Sequence, residues 1–288
     1  MKLGLAYANA LNWMPADAIR LGKVAEESGY DSLWTVEHVV LPQDFKSEYP
    51  YSQDGKMPGG DQAVIPDPLV WLSFMAGVTS SIKLCTGILI LPQRNPVILA
   101  KETATLDQLS NGRLVLGVGV GWLKEEFDAL GVEFESRAKR TDECISALRA
   151  LWSEDSASYK GEYINFELLK SNPKPVEKSG IPIVIGGHSS AAAKRAGRLG
   201  DGFFPAINDT EVLKELVATM RKEALSCGRN PDEIEVTFGG SFDAETLKLY
   251  GDLGVSRVVI PPYGRDAESL KTFLGNFREV VEKAVGSE

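Results

Sequence analysis

From Ile82 to Leu91 the chain is almost continuously apolar, and a second such run follows at Leu114 to Val120. Between them lie a loop holding Pro92 and Pro96, a segment of mixed polarity that reaches Ser110, and the pair Asn111-Gly112. The two apolar runs predict buried strands. The middle segment predicts a helix from about Pro96 to Ser110, with proline in its first turn and a turn at Asn111-Gly112 behind it. Together they make one βαβ unit. Strands that are apolar on both faces suit a parallel sheet covered on both sides. Both end in glycine and polar residues, at the carboxyl ends where α/β folds keep their ligand chemistry.

The same alternation runs through the rest of the chain. Lys2 to Tyr7 predicts a strand and Pro15 to Ser28 a helix, with Ile19, Leu21, Val24 and Ala25 near one face and Gly29 as its cap. Ser32 to Val36 predicts the next strand, and Glu37-His38 stands at its end. Val39 to Pro66, rich in Pro, Gly, Tyr and Asp, is too long for an ordinary connection and is the candidate lid. Asp67 to Thr79 begins with a cap residue and a proline, which predicts a helix. A short amphipathic helix is expected from Leu123 to Gly131, and a stronger one from Arg137 to Trp152 with Ile145, Leu148, Leu151 and Trp152 facing inward. Ser158 to Phe166 predicts a hairpin turning at Lys160-Gly161, and Pro173 to Pro182 is irregular. Strands are then expected at 183–185, 202–204, 234–238 and 258–260, with helices at 191–199, 209–227, 244–253 and 268–285. About eight strand–helix units predict a (β/α)8 TIM barrel, as one domain over residues 1–288. An open doubly wound sheet is the rival, and the steady alternation disfavours it.

Composition narrows the function. A hydrophobic fraction of 43% over 288 residues suffices for a sizeable core, and 40 acidic against 31 basic residues give a formal charge of −9. That balance argues against nucleic acid or an anionic membrane as the main partner and leaves room for a local basic pocket. No apolar run approaches the ~20 residues of a membrane span. Met1-Lys2 followed by Leu3 to Tyr7 faintly resembles a secretory leader, but Asn9, Asn12, Trp13 and Asp17 interrupt it. A cytoplasmic location is expected. Cys85, Cys144 and Cys227 form no Cys-x-x-Cys pair, and with only His38 and His188 a metal site is not expected. Three buried thiols are.

Candidate chemistry gathers at strand ends. His38 suits proton transfer near neutral pH and opens the longest loop. Ile185-Gly-Gly-His-Ser189 reads as strand, glycine turn and helix start, where free N–H groups and the helix dipole form an anion seat. Lys194, Arg195 and Arg198 on the following helix are candidate supporting charges, or simply face water. Gly117-Val-Gly-Val-Gly121 has the wrong spacing for a dinucleotide fingerprint. Its glycines either make room for a flat ring or relieve packing. Gly87, inside a strand, marks a bulge or a close backbone approach.

At Ser32-Leu-Trp-Thr-Val-Glu-His38, Thr86-Gly-Ile-Leu-Ile-Leu-Pro-Gln-Arg-Asn-Pro96, Gly112-Arg-Leu-Val-Leu-Gly-Val-Gly-Val-Gly-Trp-Leu-Lys-Glu-Glu-Phe127, Ile183-Val-Ile-Gly-Gly-His-Ser189 and Gly197-Arg-Leu-Gly-Asp-Gly202 the sequence resembles the bacterial luciferase-like superfamily. The likeness is narrower to its F420-dependent oxidoreductases. The resemblance implies a (β/α)8 barrel with an insertion region, and a flavin or deazaflavin ring across the carboxyl ends of the strands. It implies His38 near the reactive carbon of the ring, with Glu37 tuning it. It further implies a cis peptide bulge at Gly87-Ile88 beside Thr86, a floor of Gly119, Gly121 and Trp122, and a phosphate seat of Gly186, Gly187, His188 and Ser189. The implied activity is hydride transfer between deazaflavin C5 and a small organic substrate. An FMN-dependent monooxygenase and a non-catalytic flavin-binding protein are the alternatives on the same scaffold. Many relatives pair as homodimers. The short chain leaves little for a substrate-covering insertion, and no cationic cluster marks a sugar-phosphate site.

Overall fold

Each apolar run becomes a strand, and the strands that form the core all point the same way. The computed structural model describes residues 1–207, 209–239 and 242–286. Its strands are β1 Lys2–Leu5, β2 Ser32–Thr35, β3 Lys83–Thr86, β4 Leu89–Ile90, β5 Leu114–Gly119, β6 Ala157–Lys160, β7 Asn165–Leu169, β8 Ile183–Gly186, β9 Gly202–Phe204, β10 Glu235–Phe238 and β11 Val255–Ile260. Parallel pairing runs β1-β2-β3-β5-β8-β9-β10-β11 and returns to β1, which closes an eight-stranded barrel. The register sets Lys2 opposite Arg257, Leu84 opposite Leu114 and Leu116 opposite Ile183. The fold is a (β/α)8 barrel. β6 and β7 form an antiparallel hairpin outside it.

The outer helices begin where the sequence supplies caps. Asp67 accepts from the Val70 N–H ahead of Pro68–Val78, and Asn95 accepts from Val97 and Ile98 ahead of Pro96–Ser110. The ends are as legible: Asn111 (φ 59°) and Gly112 (φ 75°) turn the chain into β5. Leu72, Met75, Leu99, Leu116, Leu148 and Phe203 are among the fully buried side chains that join helices to barrel. Among the described residues no helix is long and apolar enough to cross a membrane.

Three local expectations change. The apolar run 82–91 is not one strand: it breaks at Gly87-Ile88, where the peptide is cis, then resumes as β4 and enters a 3-10 turn at Leu91–Gln93. The hairpin turns through residues 161–164 rather than at Lys160-Gly161. The Glu143 carboxylate gathers the N–H groups of Glu162, Tyr163 and Ile164, so Lys160 remains in β6. Of the three thiols, Cys85 and Cys144 are buried, but Cys227 is exposed because it caps the solvent end of helix Thr210–Ser226.

At the amino end of the barrel charges are fully paired. Arg257 on β11 meets Asp31 through Nε (2.6 Å) and Nη2 (3.3 Å), and meets Glu235 and Thr237 through Nη1. Arg113, also buried, spends its guanidinium on Thr79 Oγ1 and on the carbonyls of Ala76, Thr79, Ile82 and Ser110.

Candidate active site

The carboxyl end of β2 is organised by a residue that the sequence does not single out. Asn9, fully buried in the short helix Ala8–Leu11, donates to the carbonyls of Val36 (2.9 Å) and Pro66 (2.8 Å) and accepts from Val36 N. It therefore ties together both roots of the 39–66 loop. Beyond Val36, consecutive side chains point apart, as extended backbone dictates. Glu37 turns inward to the Ile90 N–H and to Arg94, whose Nε lies 2.9 Å from Oε1 and whose Nη2 also reaches Asp67 at 2.7 Å. Burial pushes the Glu37 carboxyl up, against the pull of Arg94 and the Ile90 N–H. Burial likewise opposes charge on Arg94, and Glu37 and Asp67 more than offset it.

Glu37 is thus not the carboxylate on His38. Alternation sends the two side chains to different partners, and the one that reaches His38 is Glu126. Its Oε2 lies 2.9 Å from His38 Nδ1, and its Oε1 accepts from the N–H groups of Val39 (2.6 Å) and Val40 (3.3 Å). The Glu126 side chain has no exposed surface and that of His38 only 7%. A carboxylate that already accepts from two backbone N–H groups takes the acceptor role toward Nδ1 as well. The imidazole then presents Nε2 for chemistry. Glu126 comes from the helix Lys124–Ala129, whose other acid, Glu125, accepts from Lys46 N, Ser47 N and Ser47 Oγ. Two neighbouring acids therefore clamp the lid at two places.

The bulge after β3 is accommodated by missing side chains. A Cβ on Gly119 would lie 2.6 Å from Ile88 Cδ1, and one on Gly186 would collide with Ile88 Cγ2. Ile88, Gly119 and Gly186, expected together at the mouth, are brought together. Gly121 (φ 81°) leaves space for Phe127 and Ile90. Gly87 donates to the Thr35 carbonyl at 2.6 Å and lies against Trp34 and Phe204. Thr86 is fully buried, and its hydroxyl is spent on the Gly117 carbonyl at 2.6 Å.

Rings from the lid close over this end in an unbroken series. Trp122 stands edge-to-face with His38 (5.5 Å between centroids), Phe45 (5.7 Å) and Tyr49 (5.3 Å). Tyr49 meets Tyr51 at 5.2 Å, and Tyr51 meets His188 at 5.1 Å. The lid thereby joins the end of β2 to the end of β8.

At β8 the turn is bare backbone. Gly187 has φ 124°, a conformation that favours glycine, and Ser189 caps helix Ser190–Leu199 by accepting from Ala192 N. The uncapped N–H groups of that first turn, with the helix dipole, suit an anionic group such as a phosphate. His188 Nδ1 is buried beside them without a hydrogen-bond partner, a vacancy that fits the same group. The basic residues of the helix do not contribute: Arg195 and Arg198 both turn away to Asp142, and Arg198 also reaches Glu223. Helical spacing puts them on the side packed against the neighbouring helices, and Lys194 is exposed.

A closed parallel barrel with a histidine–carboxylate pair, a glycine-walled bulge and a glycine turn suited to an anion at one end defines a candidate ligand-binding site on a (β/α)8 scaffold. Comparison with known proteins places it. The family model "Luciferase-like monooxygenase" matches residues 7–243, and the chain belongs to that family. An uncharacterised protein of Mycobacterium tuberculosis is 33% identical over 273 residues, covering 93% of this chain and 94% of the other. An F420-dependent glucose-6-phosphate dehydrogenase of Amycolatopsis mediterranei is 32% identical over 200 residues (68% and 55%). An FMNH(2)-dependent dimethylsulfone monooxygenase of Pseudomonas fluorescens is 35% identical over 153 residues (52% and 41%). The solved structure of an F420-dependent secondary alcohol dehydrogenase in complex with an F420-acetone adduct superposes with a TM-score of 0.79 over 99% of both chains at 20% identity, a likeness of fold.

Proposed function

We propose that the chain is an F420-dependent oxidoreductase that moves a hydride between deazaflavin C5 and a small organic substrate. The observation that carries the reading is the buried His38–Glu126 pair on the same barrel end as the Ile88 bulge and the bare glycine turn. F420 is put ahead of FMN because the F420-dependent relative matches over 68% of this chain and the FMNH(2)-dependent one over 52%. Gly186, Gly187, His188 and Ser189 would hold its phosphate and Gly87, Ile88, Gly119, Gly121 and Trp122 would line the ring, with Thr86, bonded to the Gly117 carbonyl, beneath. When bound, the ring supplies or accepts the hydride.

The protein's own part is proton handling and enclosure. His38 Nε2 gives or takes the proton at the substrate, and Glu126 keeps that nitrogen available by occupying Nδ1. Glu37 acts at a distance, fixing β4 and Arg94. The 39–66 loop, tied at its roots by Asn9 and along its length by Glu125 and Glu126, excludes water from the reacting atoms.

Side-by-side fluorescence titration with F420 and FMN tests the cofactor. Micromolar F420 binding with much weaker FMN binding is expected. The reverse preference, with substrate-dependent oxygen uptake, would shift the assignment to an FMN-dependent monooxygenase, and binding of neither would remove it. His38→Ala should lower turnover about 10²–10⁴-fold, the span general acid–base catalysis supplies, and leave cofactor affinity unchanged. Unchanged turnover would take His38 out of the mechanism. Self-association as a homodimer is assigned to the adjoining helices Pro68–Val78 and Pro96–Ser110, where Val70, Phe74 and Ile98 are exposed. Sedimentation of Phe74→Glu as a monomer and of the wild type as a dimer is the expected outcome.

A further inference from the structure

Resting on that reading of the site, we infer that the mouth takes an uncharged, planar, conjugated substrate, laid against the rings of Trp122, Tyr49 and Tyr51, and discriminates against anions. The wall is built before any ligand arrives. Five edge-to-face contacts link His38, Trp122, Phe45, Tyr49, Tyr51 and His188 at centroid distances of 5.1 to 5.7 Å, the range in which aromatic pairs attract beyond the area they bury. The series is not sealed: Tyr51 is 41% exposed, so a flat molecule can extend it.

Charge points the same way. Arg94, which the strand-end network brings to this face, is held by Glu37 and Asp67 together. Arg195 and Arg198 are held by Asp142, and the lid's own cations, Lys46 and Lys56, are exposed. Arg137 and Arg140, at the start of the helix Arg137–Ser153, lie over the rings of Phe134 and Tyr163, so an anion drawn against the lid rings would lose water and gain only exposed ammonium groups in return, which is unfavourable. A neutral oxygen is better served. Burial, and then Tyr7, pushes the Tyr49 and Tyr51 phenols up, and Tyr51 adds to the effect on Tyr49. They remain protonated donors at neutral pH.

The test is calorimetric binding of four probes, with and without whichever of F420 and FMN the protein binds. Benzalacetone is neutral and planar, cinnamate has nearly the same skeleton with a charge, the cyclohexyl saturated analogue is neutral but not planar, and glucose-6-phosphate is a polar anion. Benzalacetone should bind about tenfold or more tightly than each of the others. Tyr49→Leu should erase most of its margin over the cyclohexyl analogue, and Tyr51→Arg should raise cinnamate binding. Equal binding of cinnamate or glucose-6-phosphate, no binding of benzalacetone, or binding indifferent to both substitutions would overturn the inference. The two failures are separable. Benzalacetone preferred with neither cofactor bound removes the proposed function alone, whereas a bound cofactor with anions preferred removes the substrate class alone.

Discussion

The two ends of the barrel treat their central buried charges differently, one with guanidinium groups bonded at every side and the other with a carboxylate bonded to an imidazole. At the amino end Arg257 is 6% exposed and answered by two carboxylates, and Arg113 by four carbonyls and a hydroxyl. At the carboxyl end Glu37 is likewise held by Arg94, but Glu126 is buried with an imidazole and two N–H groups, and His188 Nδ1 has no partner among the described residues. Saturated charge makes the first end a support. At the second, His188 Nδ1 is free to bond a bound group. The contrast is one of chemistry, because the same eight strands form both ends.

The sharpest way to break it is at the support. Arg257→Leu takes from Asp31 the guanidinium that binds it, while Glu235 keeps Lys2. Breaking a buried pair costs roughly 3–5 kcal/mol, and the 27% and 43% exposure of the two acids discounts this to about 2–4 kcal/mol. The Asp31 carboxyl sits below its usual range because its bonds to Arg257, with the Arg257 charge, outweigh a larger single effect of burial that raises it. A depressed folded value means stability that is present above the ordinary value of about 3.9 and lost as pH falls through the folded one. The destabilisation by Arg257→Leu should therefore be greatest near neutrality and shrink in acid. Thermal unfolding across that range measures it. A variant as stable as the wild type at neutral pH would refute the supporting role, and loss of cofactor affinity in the folded variant would refute the separation of the ends.

At the other end the informative change is Glu126→Gln. The amide oxygen can still accept from Val39 and Val40, but its NH2 then faces His38 Nδ1, so the ring must accept there and carry its proton on Nε2. Turnover should fall about 10²-fold, within the range of general acid–base catalysis. The imidazole nitrogen chemical shifts should report the exchanged tautomer, which a merely structural role would not produce. Wild-type tautomer and turnover in the variant would sink the assignment of Glu126.

How much of this was legible in the sequence follows from range. The barrel was, because its signals are local: continuous apolar strands, Asp67-Pro68 and Asn95-Pro96 at helix starts, Asn111-Gly112 at a stop. The glycines were legible as positions of close approach, but not what approaches them. Ile88 touches Gly119 and Gly186 only after β3, β5 and β8 are assembled. Glu126 was hidden for the same reason. Its partner lies 88 residues away, and on a six-residue helix Glu125 and Glu126 look alike as solvent-facing acids. The available signal was an acidic pair in the first turn after a glycine-rich strand end. The pairing assumed for Glu37 failed on an elementary point, since neighbours in extended backbone do not share a partner.

The smallest expected effect concerns those look-alike acids and sharpens the comparison within the lid. The Ser47 hydroxyl, then the N–H groups of Lys46 and Ser47, hold the Glu125 carboxyl well below its ordinary 4.5, at about 2, against a modest opposing effect of burial. Its grip on the loop is therefore fully present above pH 4.5 and fades as pH falls toward 2. Hydrogen exchange at the Lys46 and Ser47 amides, corrected for the intrinsic pH dependence, should lose protection through that window in the wild type. In Glu125→Ala, which removes the acceptor, protection should already be low at neutral pH and should not change further, while the amides of Val39 and Val40, which Glu126 holds, stay protected. Loss of protection at both places together would mean that the two acids act as one clamp. Retained protection at Lys46 and Ser47 in the variant would mean that the lid is held by its rings instead.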